Sequence, residues 1–178
     1  MQRRSYASPW TLLNRTYDSQ NCSVARTLET IGERWTLLIL RDAFHGARRF
    51  EDFQRSLGVA RNVLTARLNL LTDEGYMERR RYSERPERFE YRLTEKGVDL
   101  WPVLFTLMTF GNKYYPLDGG QVVVEHRACG TRVDDHMRCP ECGVEVGARD
   151  VIAHWPDGVP SAAWPDQRSS ASPAGVRS

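Results

Sequence analysis

Apolar and polar positions in the middle of the chain follow two rhythms, and the change from one to the other marks the elements. Leu64, Leu68 and Leu71 recur at i, i+4 and i+7, a spacing that stacks side chains on one buried face of a helix. On the same wheel Asn62, Thr65, Ala66 and Asn69 point the other way. These are short residues, uncharged or hydrogen-bonding. Gly58 stands just upstream, where tolerance of the left-handed conformation suits it to ending a preceding short helix. Past residue 78 the rhythm becomes period two, and residues 78–82 and 88–93 read as strands around a turn at 83–87. Phe89, Tyr91 and Leu93 then share one strand face, and Arg88, Glu90 and Arg92 the other.

The flanks carry the helical rhythm again. A helix from about 22 to 31 should bury Val24, Ala25, Leu28 and Ile31 before Gly32 breaks it. Another, over 34–44, should turn Trp35, Leu38, Ile39 and Ala43 inward, with Leu37 and Leu40 making it apolar nearly all round. After the hairpin, residues 94–97 open a long helix reaching about 115, which Pro102 should kink if it lies past the first turn. Its apolar residues, among them Trp101, Val103, Leu107, Phe110 and Tyr114, cover more than the one stripe a surface helix needs. A two-fold dimer would bury the surplus and set two copies of the 59–71 helix about 34 Å apart. The N-terminal segment, with Trp10, Leu12 and Leu13, or the C-terminal part could cover it instead.

Short helix, tight turn, second helix, hairpin: this order predicts a mainly α fold with a small β-wing, a winged helix-turn-helix. It spans 21–118, between an N-terminal arm (1–20) and a small cysteine-bearing module (119–155). Residues 156–178, rich in Pro, Ser and Ala without periodicity, read as a flexible tail. Charge sharpens this picture. Residues 79–92 hold six Arg against three Glu, although the whole chain has a net charge of only +2, so nucleic-acid binding must rest on a local patch. The candidate DNA contacts are Arg49, Arg61, Asn62, Thr65, Ala66 and Asn69, with Arg81, Arg85 and Arg88 on the wing. Arginines at a loop tip grip phosphates, and short polar side chains on a helix suit base edges in the major groove. Arg61, in a helix's first turn, opposes the macrodipole by about 0.3–1 kcal/mol; a phosphate or guanine would offset this, and simple solvation is the alternative.

Residues 22–42, then Arg49-Phe50, 62–68 and 90–97, ending near Gly111, resemble the HxlR-type regulators, bacterial winged-helix proteins similar in architecture to the MarR group. The resemblance covers about half the chain. It implies an intracellular homodimer that binds a partly palindromic operator in double-stranded DNA and controls transcription, most simply as a repressor, in answer to an unknown small-molecule or redox signal. Many relatives place Ser where this chain has Ala60, a lost cap worth about 1 kcal/mol. In some of these proteins a cysteine in the region of Cys22 senses oxidants or electrophiles. A helix N-terminus would favour its thiolate, which makes Cys22 a candidate redox sensor; the alternative is an inert residue near a dimer interface.

The module has a chemistry of its own. His126, Cys129, Cys139 and Cys142 are spaced H-x2-C-x9-C-x2-C, and each half resembles a zinc-ribbon knuckle. Three thiolates and an imidazole would close a tetrahedral structural zinc shell. His136 in place of His126, a redox pair at Cys139 and Cys142, and reduced metal-free thiols are the alternatives. The segment has too few apolar residues for a core of its own, so the metal would contribute much of its folding free energy. Four cysteines without an apolar leader point to a reducing, cytoplasmic setting, and no segment approaches the roughly 20 apolar residues of a membrane span. No Ser/His/Asp grouping, P-loop or dinucleotide fingerprint suggests an enzyme. The rival to a DNA reader is a zinc-containing adaptor that binds protein or RNA through the winged helix.

Overall fold

A computed structural model describes residues 21–115, 117 and 120–155; the expected arm and tail lie outside the described residues. The elements in chain order are α1 (Ser23–Ile31), α2 (Arg34–Phe44), α3 (Phe50–Leu57), α4 (Arg61–Asp73), β1 (Met77–Glu84), β2 (Glu87–Leu93), α5 (Glu95–Val98), α6 (Trp101–Tyr114), β3 (Val123–His126) and β4 (Val151–His154). The fold is mainly helical with an antiparallel wing, followed by a second two-stranded sheet.

Leu64, Leu68 and Leu71 are fully buried, together with Ile39, Leu40, Phe53 and Met77, so the leucine spacing does anchor α4. Gly58 ends α3 at φ 61°, a backbone region where a side chain would be strained. Glu33 caps α2, its carboxylate accepting from the backbone N–H of Trp35 (2.9 Å) and Thr36 (3.3 Å). β1 and β2 pair Met77 with Leu93 and Arg79 with Tyr91, and the register shifts between Arg81 and Ser83. The root of the wing is pinned where Thr94 donates its hydroxyl to the Gly75 carbonyl (2.6 Å) and Tyr91 its N–H to that of Arg48 (2.7 Å). Gly97 meets this root so closely that a Cβ would sit 2.1 Å from the Tyr76 carbonyl oxygen.

Three helices differ from their sequence reading. On α1, Ala25 and Ile31 are buried, but Val24 is 64% and Leu28 46% exposed. The stripe is genuine, yet no described residue covers its centre. On α2, Thr36 and Asp42 are buried while Trp35, Leu38 and Ala43 are half-buried. Two apolar surroundings explain this: Ile39 and Leu40 enter the winged-helix core, with Leu37 packed at its edge, while Leu37, Leu38 and Phe44 line a cavity shared with α6. The long C-terminal helix is two helices, α5 and α6, and Pro102 falls in the first turn of α6. There its missing N–H costs nothing and produces no kink.

α6 also has two apolar sides. Phe105 is buried, Trp101 and Leu104 half-buried, while Val103, Leu107, Phe110 and Tyr114 form an exposed stripe at i, i+4, i+7 and i+11. The inner side completes the C-terminal module. Val124, Val133, Cys139, Val146 and Val151 bury themselves around Phe105, with Trp101 and Met108 packed alongside. A segment too poor in apolar residues to build a core alone therefore takes one wall from α6.

Candidate nucleic-acid interface and metal centre

α4 presents Asn62, Thr65, Ala66 and Asn69 to solvent, opposite its buried leucines. It begins at Arg61 after Ala60, which offers no side-chain cap. Arg61 is held in place instead: its guanidinium donates to the Gln54 side chain (2.9 Å) and lies 4.6 Å over the Phe50 ring. The Thr65 hydroxyl donates to the Arg61 carbonyl (2.8 Å), leaving its oxygen as an acceptor. Arg49 precedes α3, is exposed, and stacks 4.9 Å over Tyr82 of the wing. Its backbone bridges to Glu90, so the first helix of the pair and the hairpin are tied at this point.

The wing sorts its arginines. Arg81 lies 3.6 Å from both Glu84 and Glu87, Arg80 pairs with Glu78, and Arg92 pairs with Glu90 (2.7 Å). Arg79 stacks 3.6 Å over Phe89. Arg85 and Arg88 are exposed and form no ion pair among the described residues. Cationic charge at the tip is thus concentrated on these two, and Arg81 is partly compensated.

In the C-terminal module the ligand atoms of His126, Cys129, Cys139 and Cys142 all lie within 4.8 Å of one another. The Cys129 and Cys139 sulfurs are 3.4 Å apart, and Cys129 Sγ is 3.3 Å from His126 Nδ1. Zinc–sulfur bonds of about 2.3 Å in a tetrahedron place sulfurs about 3.8 Å apart, so the four residues fit such an ion with small adjustments. Gly130 and Gly143 both have positive φ (73° and 69°). Each donates its N–H back across the knuckle, to the His126 and Cys139 carbonyls at 2.8 Å. All four cysteines are free thiols. Hydrogen bonds from Thr131 pull Cys129 down to about 6, while hydrogen bonding with Cys129 and then Cys139 pushes Cys142 up to about 12. The set accepts one negative charge readily and resists a second, the electrostatics a cation relieves. His136 is exposed and outside this group.

Cys22 is exposed at the N-cap of α1, its carbonyl accepting from Arg26 N–H (3.1 Å). His45 belongs to no motif of the sequence. It is buried beside the cavity, edge-on to Trp155 at 5.2 Å, and burial, then Arg41, lowers its pKa to about 4. Asp42, fully buried, accepts from Arg41 at 2.7 Å. The only advance signal was that Asp42 lies on, and His45 just after, a helix apolar nearly all round.

No helix of the described residues is long and apolar enough to cross a membrane. Residues 30–118 match the family described as HxlR-like helix-turn-helix. The chain is similar, at 48% identity over 130 residues, to an uncharacterised HTH-type transcriptional regulator of Mycobacterium tuberculosis (strain H37Rv), covering 72% of this chain and 82% of the relative. It is similar to YdeP, another such regulator, of Bacillus subtilis, at 34% over 98 residues, 54% of this chain and 77% of YdeP. Among solved structures it resembles the transcription factor PA1607 (TM-score 0.60, 40% identity, 73% of this chain and 92% of that one). It also resembles the oxidised redox regulator HypR (TM-score 0.51, 30% identity, 54% and 100%). With the family match running over half of the chain and the helix-turn-helix and wing in place, the chain belongs to the HxlR-like helix-turn-helix family and is a transcriptional regulator with a DNA-binding domain.

Proposed function

We propose that the chain works as a homodimeric repressor that binds a specific operator in double-stranded DNA and releases it in answer to a small-molecule or redox signal. The observation that carries this is the exposed Asn62, Thr65, Ala66 and Asn69 face of α4 beside the uncompensated Arg85 and Arg88 of the wing. In this reading α4 lies in the major groove and reads base edges. Arg49, Arg61, Arg81, Arg85 and Arg88 hold phosphates and fix the register. The dimer is supported by the stripe of Val103, Leu107, Phe110 and Tyr114 on α6 and by Val24 and Leu28 on α1, exposed among the described residues, since a two-fold contact buries such surplus.

Structural zinc at His126, Cys129, Cys139 and Cys142 belongs to the same reading. The ion would crosslink the two knuckles; this chain's own part is to hold three sulfurs and an imidazole together and to seat the knuckles on α6. The redox branch of the signal rests on exposed Cys22 at a helix N-terminus and on similarity to HypR, itself a redox regulator.

The test is a gel shift with a duplex selected from random sequence, a scrambled duplex and single-stranded RNA, each over a range of salt. Specific duplex should bind at least about a thousandfold tighter than scrambled, and Asn62→Ala should reduce that ratio by about tenfold or more. Equal affinity for all three, falling steeply with salt, would favour an adaptor or RNA binder and defeat the operator reading.

A further inference from the structure

Between α2, α6 and the β3–β4 module lies a cavity of about 530 Å³, a size that holds a drug-like small molecule. Leu37, Leu38 and Phe44 of α2, Trp101 and Met108 of α6, and Trp155 after β4 supply apolar and aromatic walls. Polar side chains are few. Arg34, Arg41, His45, Asn112 and Tyr115 line it, and among the described residues no Asp or Glu does; Arg41 is engaged by Asp42 and the Asn112 amide by the Val122 backbone. The indole N–H of Trp101 is buried without a hydrogen-bond partner among the described residues. Arg34 is exposed, stacks 5.3 Å from the Trp35 ring, and forms no ion pair among the described residues. Aromatic walls with hydrogen-bond donors and a cation, and no carboxylate to repel an anion, favour one chemistry: a flat apolar body with a single negative end.

We propose that this cavity is an effector site for a planar aromatic monocarboxylate, with its rings among the indoles and its carboxylate toward Arg34, and that occupancy changes affinity for duplex DNA through α2. The proposal rests on the reading of the chain as a DNA-binding regulator and deepens it by naming the ligand class. The route is short. The same helix, α2, packs Ile39 and Leu40 into one core with Leu64 and Leu68 of α4, and cavity-lining Leu37 abuts that core. Glu33, which caps α2, also pairs with Arg67 of α4 at 3.6 Å. A shift of α2 to admit a ligand is therefore carried into the helix that presents Asn62 and Asn69, because close-packed interiors transmit strain. At the neutral pH where the protein would work, His45 is uncharged, so burying a ring beside it desolvates no cation.

Isothermal titration of the full chain with naphthoate, and with naphthylmethanol as its neutral counterpart, tests the site. Naphthoate should bind with a dissociation constant of about 100 µM or lower, and naphthylmethanol about tenfold more weakly. Arg34→Gln, at an exposed position, should erase that preference; Leu38→Trp, which fills the cavity, should abolish binding of both while the far-ultraviolet spectrum is unchanged. Saturating naphthoate should shift affinity for the selected duplex by about tenfold. The proposal is overturned by no binding at millimolar naphthoate, by binding indifferent to both substitutions, or by binding that leaves duplex affinity unchanged. It is equally overturned if binding appears only in Trp10→Ser, which would assign the cavity to the chain's own N-terminal residues. A protein that binds no duplex even without naphthoate sinks the regulator reading itself, and the gel shift reports that separately from the calorimetry.

Discussion

At His45 the surroundings decide the charge. Burial, then Arg41, holds its pKa at about 4 against about 6.5 in an unfolded chain. Above pH 6.5 the imidazole is neutral in both states and stability is unaffected. Between 6.5 and 4 the unfolded chain takes up a proton that the native state refuses, so stability falls as pH falls, by up to about 3 kcal/mol, and levels off below 4. Urea unfolding from pH 7 to 4 should show this decline, and His45→Gln should flatten it; an unchanged slope would mean that His45 is not the group responsible. The wing shows what single residues did and did not disclose in the sequence. Its arginine excess was legible, but which arginines stay uncompensated was not. The register shift between Arg81 and Ser83 and the ion pairs of Arg81 with Glu84 and Glu87 depend on strand pairing, which a count of charges does not contain.

Among the elements, α4 was legible because three leucines at helical spacing leave only one way to bury them. Its weak start was legible too. Ala60 sits at φ −60°, ψ 142° with no side-chain cap, a backbone already shaped for one. Ala60→Ser should therefore add about 1 kcal/mol of stability, read as a higher urea midpoint at unchanged slope. α1 and α6 were legible only in part. A sequence shows that Val24, Leu28, Leu107 and Phe110 lie on apolar stripes, but not whether the chain's own residues or a second copy covers them. Phe110→Glu, at a position 53% exposed, should convert a dimer to a monomer in sedimentation velocity and leave the helical spectrum intact. A variant that sediments like the parent would show that α6 is not the contact.

Taken whole, the molecule has two cores joined through α6. Ligand spacing revealed the cysteine cluster, but the contribution of Phe105 to the module's core was hidden, because it lies some twenty residues upstream on a helix that belongs to the winged domain. This arrangement predicts graded behaviour on metal removal. The purified protein should carry one zinc per chain by elemental analysis. Chelation or Cys139→Ser should raise amide hydrogen exchange through residues 120–155 and leave the core around Leu64 and Leu68 protected. Equal exchange with and without metal would remove zinc from the account.

α2 carries one further consequence. Leu38 and Phe44 line the cavity without belonging to the winged-helix core, whereas Ile39 and Leu40 lie within that core, so the cavity lining can be rewritten at positions that leave the core residues unchanged. Descendants of a single ancestral protein could keep the same target sequence while acquiring new stimuli, through substitutions confined to a few square nanometres. The same economy makes this helix the natural place to graft a chosen trigger onto an existing genetic switch.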